Sequence, residues 1–471
     1  MFSATKILLY VFGSIIIILG ATITVIWKPL LNHIIDSRLV LAKCSETERI
    51  WSNSSVPIYF KVYMFNWTNP EETLAKKQKP NFVEMGPYTF RFTQMKSDIV
   101  WNSNYTITFR ADRIWSFAPE MSNGRLSDRI TNINAVAMVV GDRFKDNMWI
   151  TKVMISGFLE LLEKQVYITK TVEELLFQGY ENQVLSIGKT LKELGIDVGH
   201  LPDRFGWYFN KNASEINIFN IHTGADDLNN LGRVRSWNYK TQSEIYTDRC
   251  DRIRGSLGDL WPKNISNEDS TSIFISDFCG SFELIKSGAH KLHGVDAVRF
   301  IGTEKTFDNG KVYRENRCYC KNNKCTLPSG VRDISDCVHA PIYISFPHFY
   351  LANESYRRSV DGMNPVAGKH QFFVTVQKDS GMVMEIFARL QINIMVEPYP
   401  SLGFFANLPR MMVPTVWFEE YIEMPENLKT KIKLAFNLAP FLLSVCGFSS
   451  VIIGIVLVLC GCISSKLQRQ K

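Results

Sequence analysis

The chain has 471 residues, 46% hydrophobic and 21% charged, which excludes a mostly disordered protein and allows a sizeable core. Its formal charge of +7 comes from 53 basic and 46 acidic residues, and five of the basic ones (Lys6, Lys28, Lys466, Arg469, Lys471) lie in end stretches without Asp or Glu. The body is therefore close to neutral and lacks the basic footprint of a nucleic-acid-binding protein.

The first predicted element is a membrane span. Ile7 to Trp27 carries no charge and is bounded by Lys6 and Lys28. About 20 apolar residues cross a bilayer, and a cleaved signal would have a shorter apolar run ending in small residues, so an uncleaved anchor is expected. Next come strand-like runs rich in β-branched and aromatic residues: Ile58 to Phe65 and Tyr105 to Phe109. The stretch 150–195 reads as helical. Phe158, Leu161 and Leu162 are spaced i, i+3, i+4, as are Val172, Leu175 and Leu176, and Val184, Ile187, Leu191 and Leu194 share a face. Such stripes ordinarily pack on one another; the functional alternative is an exposed apolar surface that takes up lipid. Four more strand-like runs follow: Val295 to Ile301, Ile342 to Phe346, Phe372 to Val376 and Met384 to Val396. The fold class is thus α+β but β-dominated, and a long antiparallel sheet without covering helices tends to close into a barrel.

Leu434 to Ser465 is a second uncharged run, densest from Phe441 to Ile463, with Pro440 placed to kink its outer end. Its short basic flank, Lys466 to Lys471, favours the cytoplasm. Two spans put both termini on one side. The chain then divides into a cytoplasmic tail 1–6, a span 7–27, an extracellular region 28–433, a span 434–463 and a tail 464–471.

Ten cysteines fall into three groups. Cys250, Cys279, Cys318, Cys320, Cys325 and Cys337 cluster in the large loop and read as three disulfides with fifteen pairings open. A zinc site at Cys318, Cys320 and Cys325 lacks the usual C-x2-C spacing. Cys44 is left over, either as a thiol or as a bridge to a second chain. Cys446 lies in the second span, and Cys460 and Cys462 at its cytoplasmic end suit palmitoylation. Six N-x-[ST] sequons, at Asn53, Asn66, Asn104, Asn212, Asn264 and Asn353, fit a glycosylated extracellular region.

No catalytic pattern emerges. Gly188-Lys189-Thr190 lacks the first glycine of a P-loop, which Gln183 replaces. His290 and His293 stand outside any HExxH motif, the other histidines are scattered, and no G-x-S-x-G elbow occurs. The reading is a non-enzyme without cofactors.

Six blocks carry a resemblance: Glu84-Met-Gly-Pro-Tyr-Thr-Phe90, Cys318-Tyr-Cys320, Asp333-Ile-Ser-Asp-Cys337, Pro341-Ile-Tyr-Ile-Ser-Phe-Pro-His-Phe349, Asp361-Gly-Met-Asn-Pro365 and Arg389-Leu-Gln-Ile-Asn393. With the two spans and the cysteine order, they resemble the class B scavenger receptors. Tyr63 to Asn69, Pro80 to Val83, Arg204 to Trp207 and Phe219 to Asp227 are most similar to the croquemort branch. The resemblance implies a large antiparallel barrel with a membrane-distal helical bundle at about 150–195 and an internal lipid tunnel. It implies the pairs Cys250–Cys318, Cys279–Cys337 and Cys320–Cys325. It implies a plasma-membrane receptor for lipids, fatty acids, modified lipoproteins or apoptotic-cell surfaces that promotes uptake or lipid transfer. A pheromone-handling sensory neuron membrane protein and a lysosomal transport receptor are the alternatives; the tail lacks an acidic dileucine signal. The family's ligand lysine in the helical region maps best to Lys164, with Lys152 and Lys170 as further candidates. A lysine beside an apolar stripe suits an anion on an apolar chain.

Overall fold

The computed structural model describes residues 4–53, 56–163, 165–186, 203–213, 217–320 and 324–469. Two compact units are distinguished: one of residues 1–40, 290–297 and 424–471, the other of 41–289 and 298–423.

The second unit is built on one antiparallel sheet. Its strands are β1 (Ile58–Trp67), β2 (Phe82–Trp101), β3 (Thr106–Phe117), β6 (Ile218–His222), β7 (Val234–Trp237), β8 (Ser270–Ile275), β9 (Gly280–Leu292), β10 (Val295–Ile301), β11 (Arg332–Asp333), β12 (Ile342–Ser345), β13 (Phe373–Gln377), β14 (Val383–Val396) and β15 (Met411–Glu423). β4 (Arg129–Ile133) and β5 (Tyr167–Thr171) form a separate two-stranded ribbon. The large sheet runs β7-β6-β3-β2-β1-β15-β14-β13-β10-β9-β8, and β12 joins β14 off this path. The edge strands β7 and β8 meet through two residues: Arg233 bridges Ser256, and Ser256 bridges Ile273. Three backbone bonds hold this seam: Val234 N–H to Gly255 O at 2.8 Å, Ser256 N–H to Ser272 O at 3.0 Å and Phe274 N–H to Ser256 O at 2.8 Å. Gly255 has φ +93°, and a Cβ there would lie 2.0 Å from Ser272 O, so only glycine fits. The sheet is thereby almost closed into a barrel.

Its core follows from period-2 alternation. Ile58, Phe60 and Val62 on β1 face Phe90 and Phe92 on β2, Trp115 on β3 and Phe418 on β15, in one cluster with Phe282, Phe300 and Phe346 from the opposite wall. A second cluster, around Phe65, Trp67, Phe349 and Trp417, lies on the other face of β1 and β15. The six strand-like runs of the sequence all fall on strands of this sheet. β2 and β15 were not legible, because each contains a proline. Pro87 sits where the β1–β2 register shifts between Val62 and Met64, and Pro414 where the β14–β15 register shifts between Ile392 and Asn393. A bulge releases the ladder bond that proline cannot donate.

The expectation of a continuous helical stretch over 150–195 is corrected. Trp149–Leu162 is an α-helix, but Tyr167–Thr171 is β5, paired with β4, and Glu174–Gln178 is a π-helical turn. β-branched Ile168, Thr169 and Thr171 favour the strand. Val172, Leu175 and Leu176 are buried in the main core as their spacing predicts. Of the third stripe, Ile187, Leu191 and Leu194 lie outside the described residues.

In the first unit, two apolar segments are long enough to cross a membrane, Ile7–Leu39 and Glu426–Ile463, which fits a two-pass membrane protein with a large domain between the spans. The first helix continues through Pro29 to Leu39. The second begins with a π-helical turn at Leu434–Leu438 just ahead of Pro440, whose missing N–H leaves the ladder open there. The two helices pack through small residues. A Cβ on Gly13 would meet Gly454 O at 2.9 Å, and one on Gly20 would meet Gly447 O at 2.8 Å. Close backbone approach of this kind is how helices associate in lipid.

Candidate functional site

The helix Trp149–Leu162 presents an apolar stripe to solvent. Met148 is 80% exposed, Trp149 71% and Leu161 73%, and Ile150, Val153, Met154 and Phe158 are also exposed. The opposite face is held down: Leu159 is buried, and the Ser156 hydroxyl accepts from the Phe404 N–H at 3.1 Å. The expectation that Phe158 and Leu161 pack into a bundle is therefore corrected among the described residues. The anchoring face is the one with Ile155, Ser156 and Leu159, which leaves the longer apolar side chains outside. A stripe of this size on an exposed helix marks a contact surface for an apolar partner.

The candidate lysines do not form a single group. Lys152 is half-buried on this helix. Lys170 is on β5, within 3.9 Å of Glu174 Oε1 and 5.0 Å from the Tyr180 ring centroid. Lys164 lies outside the described residues.

The structure joins Cys250 to Cys318, Cys279 to Cys337 and Cys320 to Cys325. Cys44, Cys446, Cys460 and Cys462 are exposed thiols. Five of the sequon asparagines, Asn53, Asn104, Asn212, Asn264 and Asn353, are exposed. Asn66 is half-buried on β1, and its Oδ1 accepts from the Thr131 N–H at 2.8 Å, tying β1 to β4. Half-burial leaves a glycan on Asn66 Nδ2 less room than at the five exposed sites. Mass spectrometry of enzymatically deglycosylated peptides in heavy-oxygen water is expected to tag the five exposed sites and leave Asn66 untagged; tagging of Asn66 overturns this.

One cluster was invisible in the sequence. Glu84 on β2, His348 and His370 bring a carboxylate and two imidazoles within 4.8 Å of one another. His348 Nε2 lies 2.6 Å from Glu84 Oε2, the Trp417 indole N–H donates to the same oxygen at 2.7 Å, and the two imidazoles stack at 4.4 Å. Burial pushes the Glu84 carboxyl up, but the hydrogen bonds from His348 and Trp417 outweigh it and hold it below its ordinary value. Burial drives His370 down to about 4. The set looks like a metal centre, yet its hydrogen bonds argue otherwise. His348 Nδ1 accepts from the Asn364 N–H and His370 Nδ1 from the Val366 N–H, at 3.1 and 2.9 Å. Each ring therefore keeps its proton on Nε2. A metal-bound histidine instead donates its second N–H to an acceptor. The cluster is a structural clasp. It gathers Glu84, His348 and Asn364 from three of the blocks that carried the resemblance, and the His348 N–H reaches Gln391, from a fourth, at 2.6 Å.

Comparison with known proteins now decides the family. The sequence profile of the CD36 family matches residues 11–465, nearly the whole chain. The chain belongs to the CD36 family. It is 34% identical to Protein peste of Drosophila melanogaster over 87% of this chain and 73% of that protein. It is 26% identical to scavenger receptor class B member 1 of Bos taurus over 98% and 89%, and 28% identical to lysosome membrane protein 2 of Homo sapiens over 88% and 84%. Membership of the CD36 family supports a membrane-integral receptor that binds lipids or lipid-bearing ligands.

Proposed function

We propose that the protein is a plasma-membrane scavenger receptor that binds modified lipoproteins, fatty acids or apoptotic-cell surfaces and promotes their uptake or the transfer of their lipid through the barrel. The basic flank Lys466 to Lys471 favours a cytoplasmic side for both tails. The observation that carries the reading is the exposed apolar stripe of the helix Trp149–Leu162. Apolar surface pressed into a lipid particle gains about 25 cal/mol for each Å² removed from water, so a few large side chains suffice for capture. Lys152 on the same helix and Lys170 nearby in sequence supply cations for anionic lipid heads, and Lys164 is the third candidate. Palmitoylation of Cys460 and Cys462 belongs to the same reading.

The test replaces Met148, Trp149 and Val153 with Ser in the full chain expressed in cells that lack related receptors. Binding of oxidised lipoprotein is expected to fall about tenfold, as for loss of one or two interface anchors, while surface biotinylation stays normal. Unchanged binding removes the helix from the reading. Surface labelling that finds only an internal pool favours the lysosomal alternative, which the likeness to lysosome membrane protein 2 keeps in view.

A further inference from the structure

Residues 290–297, the tip of the β9–β10 hairpin, belong to the unit of the two spans. The turn has two residues, His293 and Gly294, with φ +52° and +81°, the positive pair that a tight hairpin needs. The Asn437 side-chain amide donates to the Gly294 carbonyl at 2.6 Å. Asn437 lies three residues inside the uncharged run that begins at Leu434, so a polar side chain ties the hairpin to the span itself. A Cβ on Gly294 would stand 3.7 Å from Lys433 Cε, so the lysine stem lies along the turn.

The depth of this contact follows from the packing of the two helices. The uncharged run Ile7 to Trp27 rises about 30 Å, the thickness of the hydrocarbon core, so Trp27 and Lys28 mark its outer edge. Gly447 packs between Gly20 and Thr24. In antiparallel order Lys28 is then level with about Phe441, and Asn437 lies about 6 Å farther out. The headgroup layer is about 5–7 Å deep on each side of the core, so the hairpin tip stands among lipid headgroups. Side-chain exposure agrees. Leu30 and Leu438 are exposed near that level, and Ile34 and Leu434 about one turn beyond it. Lipid that covers these side chains reaches the level of Lys433.

Lys433 is exposed and, among the described residues, makes no ion pair. Lys429, one turn before it, is already held by Glu426 at 2.9 Å. Lys291 on the hairpin has Asp296 at 3.7 Å, but both side chains are mostly in water, where such a pair is weak. Two available cations therefore flank the turn, with exposed leucines next to them.

We propose that the hairpin tip and Lys433 seat the phosphate of a phospholipid in the leaflet from which residues 28–433 emerge, with Lys291 as the second cation and Leu434 and Leu438 against the start of its acyl chains. A phosphodiester brings a full negative charge and several acceptor oxygens, and each lysine ammonium brings three donors and a point charge. A neutral sugar head brings no charge, so the seat separates phospholipids from uncharged glycolipids. It is independent of which particle the receptor captures.

The experiment uses the full chain in bilayer nanodiscs of equal parts phosphatidylcholine, phosphatidylglycerol and galactosyl diacylglycerol, with photoreactive p-benzoylphenylalanine incorporated at position 293. Mass spectrometry of the hairpin peptide after irradiation reads which lipid is attached. Both phospholipids are expected over the galactolipid by about fivefold, the worth of one lysine beside an anionic lipid surface. Lys433→Gln combined with Lys291→Gln is expected to return the ratio to that of the bulk bilayer, and Lys433→Arg combined with Lys291→Arg to preserve it. Position 293 free of lipid places the tip in water and overturns the proposal, as does a bulk ratio with both lysines present. A Gln variant that keeps the wild-type ratio overturns it too. Enrichment of phosphatidylglycerol alone is the mark of diffuse surface charge and overturns the phosphate seat. All but the Gln result are read with both lysines in place, so they decide even where the Gln variant fails to fold.

Discussion

Replacing Arg389 with Met is expected to destabilise the protein by about 3 kcal/mol or more and to remove most of it from the cell surface. Arg389 is buried on β14, with Nε 2.7 Å from Glu419 Oε2 and Nη1 3.1 Å from each of the Gly368 and Gln371 carbonyls. It also covers the Phe387 ring at 4.6 Å. Met fills much of the volume but leaves the Glu419 carboxylate, itself buried, with only Lys61 at 2.9 Å, and leaves two carbonyls without their donor. Removing one partner of a buried pair costs about 3–5 kcal/mol, a large share of a typical 5–15 kcal/mol stability. The remaining Lys61 contact places the value at the lower end. Denaturant unfolding of the purified variant and surface biotinylation measure it. The double variant Arg389→Met/Glu419→Gln is expected to recover part of the loss, because no buried carboxylate is left without its guanidinium and Lys61, the other partner of Glu419, keeps a quarter of its side chain accessible to water. A single variant within 1 kcal/mol of wild type, roughly the scatter of such measurements, contradicts the account.

Stability is also expected to fall as pH drops from about 6.5 towards 4, through the clasp of Glu84, His348 and His370. Burial is the first cause of the depressed His370 value; the His348, Arg389 and Lys369 charges act in the same direction, and Glu84 opposes them. The unfolded chain takes up the proton near pH 6.5 and the folded chain only near 4, so the contribution is complete above 6.5 and declines below it. At the low end the loss reaches about 3 kcal/mol. Glu84, held below its ordinary value, works with the same sign at lower pH: its contribution is present above the ordinary carboxylate range and is lost as pH falls through its folded value. Melting temperatures at a series of pH values read this out. His370→Asn keeps an acceptor for the Val366 N–H and cannot titrate, so its melting temperature is expected to change less between pH 6.5 and 4.5. Parallel curves for the two proteins contradict the assignment.

The spans and the β-dominated class were legible because each depends on local pattern: length without charge for the spans, alternation and β-branching for strands such as Phe373–Gln377. β2 and β15 were hidden, since Pro87 and Pro414 read as strand breakers until the bulges beside them are known. The stripe Phe158, Leu161 and Leu162 announced an amphipathic helix correctly but not which side was covered. Tertiary packing of Ile155 and Leu159, with Ser156 bonded to Phe404, decided that. The clasp was hidden for a different reason. Glu84 and His348 are 264 residues apart, and no spacing rule joins them. The conspicuous blocks around them are joined by hydrogen bonds into one core.

The seam at Gly255 and Ser256 gives the barrel wall an unequal compliance. Most of the other neighbouring strands, such as β2–β3 and β14–β15, are stitched along many residues, so widening the circumference there strains a whole ladder. At the seam, parting three backbone bonds frees β7 from β8 while every other junction keeps its register. Girth is therefore gained most cheaply along that one line.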